Sequence, residues 1–242
     1  MTSILASSIA DPDLVAKLRE RPQLRKATHQ MLMAHQAIEA CLSFLPSTAK
    51  LQETGIVLGT SQGELETTKE YYRALATQDL ARPFLFQNSL HHSTTGFLSQ
   101  AFGIQGPTLT IADNFFSGES ALDAAVALLE SGQCEYCFVV GVDVMVPDFE
   151  PGVRTLYPEG LLRGEGAACL LLAANTTAAN AVHFQSLQFD RVRKAESSAF
   201  SGFYDSDAIA QVARFLADNS GNELVLSKPD GTSTTMKVKR PG

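Results

Sequence analysis

Gly106–Ala125, GPTLTIADNFFSGESALDAA, sets a strand, a sharp corner and a helix in immediate succession. Behind Gly106-Pro107, the residues Thr108, Leu109, Thr110 and Ile111 are β-branched or apolar and predict a buried strand. Asp113-Asn114 breaks the run. Ser117 is placed to N-cap a helix whose apolar face is Ala121, Ala124, Ala125 and Leu128. Glu119 falls in its first turn, where a negative charge suits the helix dipole. Such corners suit nucleophiles, because the side chain is exposed and a helix N-terminus lowers its pKa. This corner carries Phe115 and Phe116, and neither can attack a substrate.

The rest of the chain reads outward from there. Gly55–Gly59, GIVLG, and Tyr136–Val142, YCFVVGV, are further apolar strand runs, and Ser3–Ile9 is a short first strand. Asp11 opens a brief helix through Arg19, and Leu24, Ala27, Met31, His35, Ile38 and Leu42 predict one long helix over Pro22–Leu45. Helices are also expected over Glu64–Thr77, over Asn88–Phe102 with His91 and His92 in its first turn, and over Asp205–Asp218. His183–Asp190 and ELVLS (Glu223–Ser227) complete the strands. His29 and His35 have no partner at metal-ligand spacing and read as surface or core histidines. The loop Gly59-Thr60-Ser61-Gln62-Gly63 lacks the lysine and spacing of a phosphate-binding loop.

At 242 residues with 45% hydrophobic and 19% charged residues, the chain can bury a substantial core. A net charge of -7 argues against nucleic-acid binding. The basic residues Lys237, Lys239 and Arg240 read as a solvated tail. No run is long enough for a membrane span, the start lacks a leader pattern, and neither cofactor nor metal is expected. Cys41, Cys134, Cys137 and Cys169 lie in apolar segments, as buried free thiols do, and fit a reducing cytoplasm. Cys134-Glu-Tyr-Cys137 is a CxxC without a second pair, so packing accounts for it.

GPTLTIADNFFSG resembles the nucleophile segment of the β-ketoacyl synthases, the condensing enzymes of fatty-acid and polyketide synthesis. Aligned on Gly106-Pro107 and Ser117-Gly118, Phe115 stands at the position of their reactive cysteine. Gly164-Glu165-Gly166-Ala167-Ala168 followed by CLLLAA is similar to their Gly-Glu-Gly-Ala-Gly turn and strand, in which the acid is architectural. Asp230-Gly231-Thr232-Ser233-Thr234 resembles their His-Gly-Thr motif, with Asp230 at the first histidine. The likeness runs from about Leu24 to Thr234 and is densest between Gly55 and Ala174. The segments for the family's lysine and second histidine are expected to be absent.

The resemblance implies an α/β, thiolase-like fold: the ketosynthase N-terminal half with a reduced C-terminal half, built on a mixed five-stranded core. A single truncated domain follows, 1–175 as the core and 176–242 as the remnant. With Phe115 for the thiol and Asp230 for the histidine, no catalytic residue is expected. In the family the strand before the nucleophile, here Thr108–Ala112, pairs two subunits, and the paired helices line each other's acyl tunnels. The resemblance therefore points to a chain length factor: a non-catalytic subunit that heterodimerises with a full-length ketosynthase and meets acyl carrier protein indirectly, through that partner. The narrower likeness is to the short ketosynthase-like subunit of aryl polyene clusters. Candidate interface or tunnel residues are Thr108, Leu109, Thr110, Ile111, Ala112, Phe115, Phe116, Asn88, His91 and His92. Phe115 and Phe116 either wall the tunnel or fill a vacant pocket. The rival readings are an acyl transferase or thioesterase using Asp230 or His91, and a carrier-protein docking module.

Overall fold

The computed structural model describes residues 1–149, 151–152, 164–175, 181–190, 207–219, 221–228 and 231–241. Its strands are β1 (Thr2–Ile9), β2 (Thr54–Gly59), β3 (Thr108–Ile111), β4 (Tyr136–Asp143), β5 (Gly166–Ala174), β6 (Val182–Asp190), β7 (Glu223–Ser227) and β8 (Ser233–Lys239). The helices are α1 (Pro12–Leu18), α2 (His29–Leu42), α3 (Leu65–Gln78), α4 (Pro83–Asn88), α5 (Ser93–Phe102), α6 (Ser117–Glu130) and α7 (Ala208–Ala217). The strands form one mixed sheet in the order β3-β2-β4-β5-β1-β6-β8-β7.

The centre of the sheet follows from side-chain alternation along strands buried on both faces. Ile56 and Leu58 of β2, Phe138 and Val140 of β4, and Cys169 and Leu171 of β5 face α2, where they meet Leu32, Ala34, Ile38 and Cys41. The residues between them, Val57, Val139, Leu170 and Leu172, face α6 and α7 and pack on Ala121, Leu122, Ala125, Ile209 and Val212. Each large side chain buried this way stabilises the fold by about 1.5–3 kcal/mol. β3 and β4 run parallel to β2, so the chain crosses over through α3–α5 and then α6.

The expected five-stranded core is present as β3-β2-β4-β5-β1, but among the described residues the sheet continues into eight strands. The extension joins through a short seam, Ser3 opposite His183 and Ile4 opposite Val182. The expected C-terminal tail is β8: Met236 and Val238 are fully buried, while Lys237 and Lys239 point outward. Alternating basic residues had masked a strand.

Three helix boundaries also differ. Pro22–Leu24 is a separate 3₁₀ turn, and α2 starts afresh where the Thr28 hydroxyl accepts from the Met31 N–H at 3.1 Å. Asn88 closes α4 and His92 precedes α5, so His91 and His92 lie in the connection between the two helices. Phe116 takes the N-cap position of α6, and Ser117 is its first residue. The Ser117 hydroxyl donates to the Asn114 carbonyl and accepts from the Asp113 N–H, tying down the 3₁₀ turn instead of the helix.

Candidate functional site

β3 is not the buried strand its composition predicts. It pairs with β2 on one side and ends the described sheet on the other, with burial falling off toward its start. Leu109 is 41% exposed. The ladder points specific groups away from β2: Ile56 donates to the Pro107 carbonyl and Thr60 to that of Ile111, so Thr108 and Thr110 turn their backbone N–H and C=O outward. α5 braces the strand from one face, the Thr95 and Thr110 hydroxyls sharing a 2.5 Å hydrogen bond.

Past Ala112 the chain turns through Asn114, at φ +46°, into the 3₁₀ turn Asn114–Phe116 and then α6. Positive φ in a non-glycine residue marks a tight, locally strained corner. Gly59 makes the approach possible, since a Cβ there would fall 2.3 Å from the Ser117 carbonyl oxygen. Ser120 donates to Asp113 at 2.7 Å, a bracing role and not that of a nucleophile. Phe115 is half-buried at the apex. Phe116 is buried, its ring 5.8 Å from that of Phe189 and its face 5.5 Å from the Lys228 ammonium.

Beneath the rings lies an ion pair, Lys228 with Glu119, both almost wholly buried. Burial drives the Glu119 carboxyl above its usual range, the Lys228 charge pulls it back, and neighbouring Asp207 pushes it further up. Glu119 therefore does more than offset a helix dipole. Asp230 lies outside the described residues, and so does most of the loop expected over Pro147–Leu161.

Other polar groups fix the frame. Asp143, at the end of β4, accepts from the Thr60 hydroxyl at 2.9 Å and from the backbone N–H of Ser61 and Gln62, which holds the Gly59–Gly63 loop against the sheet. Buried Glu64 accepts from the hydroxyls of Thr28, Thr94 and Thr67, linking the starts of α2, α5 and α3. Glu165 accepts from the Met145 N–H at 3.1 Å and pairs with His29 at 2.8 Å, which holds its carboxyl below the usual range. His29 thus has the carboxylate partner that sequence spacing failed to reveal. His35 is buried against Phe102, and burial lowers its pKa. His91 is exposed and lies over Gly63, where a Cβ would come within 2.8 Å of the ring. All four cysteines are buried and free. Among the described residues no His, Cys, Asp and Glu group could hold a metal, and no helix is long and apolar enough to cross a membrane.

The structure gathers Thr108–Ala112, Phe115 and Phe116 at one edge and corner of the sheet, next to α5. Asn88 and His92 sit apart, around a hollow of about 300 Å³ with Phe84, Leu90 and Phe97. The pairing of Glu119 with Lys228 and the hydrogen-bonding roles of Asp143 and Glu64 were missed. For Asp143 a signal existed, an acid closing an apolar strand opposite a Gly-Thr turn.

Residues 16–152, more than half of the chain, match the β-ketoacyl synthase N-terminal domain. The chain belongs to that family. A non-reducing polyketide synthase of Gibberella zeae is 25% identical over 127 residues, 52% of this chain and 5% of that protein. The chain thus spans about a twentieth of the length of the curated relatives it matches. Among solved structures it is similar to a chain of the ketosynthase in complex with its chain length factor from Xenorhabdus doucetiae, with TM-score 0.68 and 17% identity, over 98% of this chain and 99% of that one. A chain of the ishigamide ketosynthase/chain length factor gives 0.71 and 17%, over 100% and 98%. A β-ketoacyl synthase from Burkholderia phymatum gives 0.60 and 17%, over 82% of this chain but 55% of that one. These likenesses establish the thiolase-like ketosynthase fold.

Proposed function

We propose that the chain is a non-catalytic, chain length factor type subunit that pairs with an active β-ketoacyl-carrier-protein synthase and shapes its acyl tunnel. The observation that carries this reading is a ketosynthase frame whose exposed edge strand runs into a corner filled by Phe115 instead of a thiol. Condensation needs a thiolate to hold the acyl chain and donors that stabilise the enolate. A phenyl ring supplies neither, and Asp230 at the first histidine position would repel a developing negative charge. What such a frame keeps is shape and a pairing edge.

Residues 1–175 supply the core and 176–242 a reduced second half. The partner is a full-length ketosynthase, and acyl carrier protein meets the subunit through that partner. The products are polyketide or polyene chains, with an aryl polyene cluster as the narrower assignment, and the pair works in the cytoplasm. The solved chains similar to this one along nearly their whole length include members of ketosynthase/chain length factor complexes, which supports the reading. Co-expression with a full-length ketosynthase from the same genome, followed by size-exclusion chromatography, tests it. A one-to-one complex that elongates carrier-bound substrate is expected. A well-behaved chain that ignores the synthase, or that elongates substrate alone, overturns it.

A further inference from the structure

We infer that the buried Glu119–Lys228 pair is a positioning device for the tunnel wall: it sets the pose of the Phe116 ring and, through it, the length of product the assembled pair releases. The inference rests on the chain length factor reading and adds residues to which that reading assigns no role.

Glu119 stands in the first turn of α6, three residues past Phe116, and Lys228 directly follows β7. Their side chains are 1% and 2% exposed, so the pair is enclosed in the protein. Charges this buried do not wander, because moving either out of register leaves its partner unpaired in a low-dielectric surround. The Lys228 ammonium is therefore a fixed point, and it lies 5.5 Å from the centroid of Phe116, within range of a cation–π attraction. Phe189 of β6 packs on the same ring at 5.8 Å. The ring is thus held from two elements of the second half of the chain, while its backbone belongs to the corner after β3.

A phenyl ring has few rotamers, and a wall made of one is only as sharp as its χ angles are fixed. If Phe116 only filled a vacant pocket, apolar neighbours would suffice. A buried cation against its face adds direction to the packing.

The test uses the intact complex with the partner ketosynthase and three variants of this chain: Glu119→Gln, Lys228→Met and the double substitution. Complex formation, thermal stability and product-length distribution are read together with the 19F signal of 4-fluorophenylalanine placed at position 116. Lys228→Met and the double variant should move the 19F resonance and shift the main product longer by at least one extension unit while the complex persists. In the double variant, which leaves no stranded charge, stability should recover but the product profile should not. An unchanged profile and resonance in the Lys228 variants overturns the inference, as does recovery of stability and profile together in the double variant, the signature of a merely structural pair. Failure of the unmodified chain to bind the synthase removes the chain length factor reading instead, and the 19F shift still reports on the Lys228–Phe116 contact.

Discussion

Lys228, just past β7, forms a buried ion pair with Glu119 in the first turn of α6, joining the two halves of the chain beneath the Phe116 ring. The partners are not equivalent. Glu119→Gln strands an ammonium in the interior and should destabilise the fold by about 3–5 kcal/mol. Lys228→Met removes the charge that holds the Glu119 carboxyl down against burial, so its pKa moves further up toward the protonated form and the substitution should cost about 1–3 kcal/mol. Urea unfolding of the two variants at neutral pH checks the order, and a costlier Lys228→Met would show that the carboxylate, not the ammonium, is the harder charge to strand.

Much of this architecture was legible in the chain and some was not. β2 and β4 announce themselves because unbroken apolar runs suit strands buried on both faces. β3 carries the same kind of residues yet lies at an edge, since composition records a need for cover without saying who supplies it. β8 escaped because only Met236 and Val238 mark its inner face and lysines occupy the outer one. The corner was plain from Gly106-Pro107 to Ser117-Gly118. Pairings such as His29 with Glu165, 136 residues apart, leave no local pattern to find.

Glu64 makes stability depend on pH with a definite sign. Burial raises its pKa above the ordinary 4.5, against three threonine hydroxyls that favour the carboxylate. The folded state therefore holds the proton more tightly than the unfolded chain. Its favourable contribution is full below about pH 4.5 and is lost as pH rises through the higher folded value. Glu64→Gln removes that titration while leaving a hydrogen-bonding amide among Thr28, Thr67 and Thr94. Denaturant unfolding across the acid-to-neutral range should show the native chain losing stability relative to the variant as pH rises. Parallel curves would mean that the three hydroxyls offset the desolvation in full.

Phe115 and Phe116 divide the tunnel-wall reading from the filled-pocket reading. Phe116→Ala removes a buried ring and should cost about 3–5 kcal/mol by the cavity it opens, whereas half-buried Phe115→Ala should cost about half as much. In complex with the ketosynthase, either substitution should lengthen or broaden the products without abolishing them. Mass spectrometry of the released chains reads the outcome. An unchanged profile from both variants leaves the rings as pocket filler and pairing as the subunit's remaining role.

Pairing itself can be tested at one backbone atom. In β3 the groups of Pro107 and Ile111 that bond β2 point inward, so the N–H of Thr108 faces away from the sheet. Proline is tolerated on an edge strand where the lost N–H faces outward, and its fixed φ suits extended backbone. Thr108→Pro should therefore leave the isolated chain within about 0.5 kcal/mol of its original stability, the range of a surface change. A partner strand that continues the sheet loses one main-chain bond and meets a pyrrolidine ring in its path. Affinity for the ketosynthase should fall at least about tenfold, equivalent to 1.4 kcal/mol. Lys17→Ala, an exposed position on α1 away from this edge, serves as the control that leaves affinity unchanged. If Thr108→Pro binds as well as the unmodified chain, the two sheets do not join through β3, and the exposed edge must serve something other than the partner synthase.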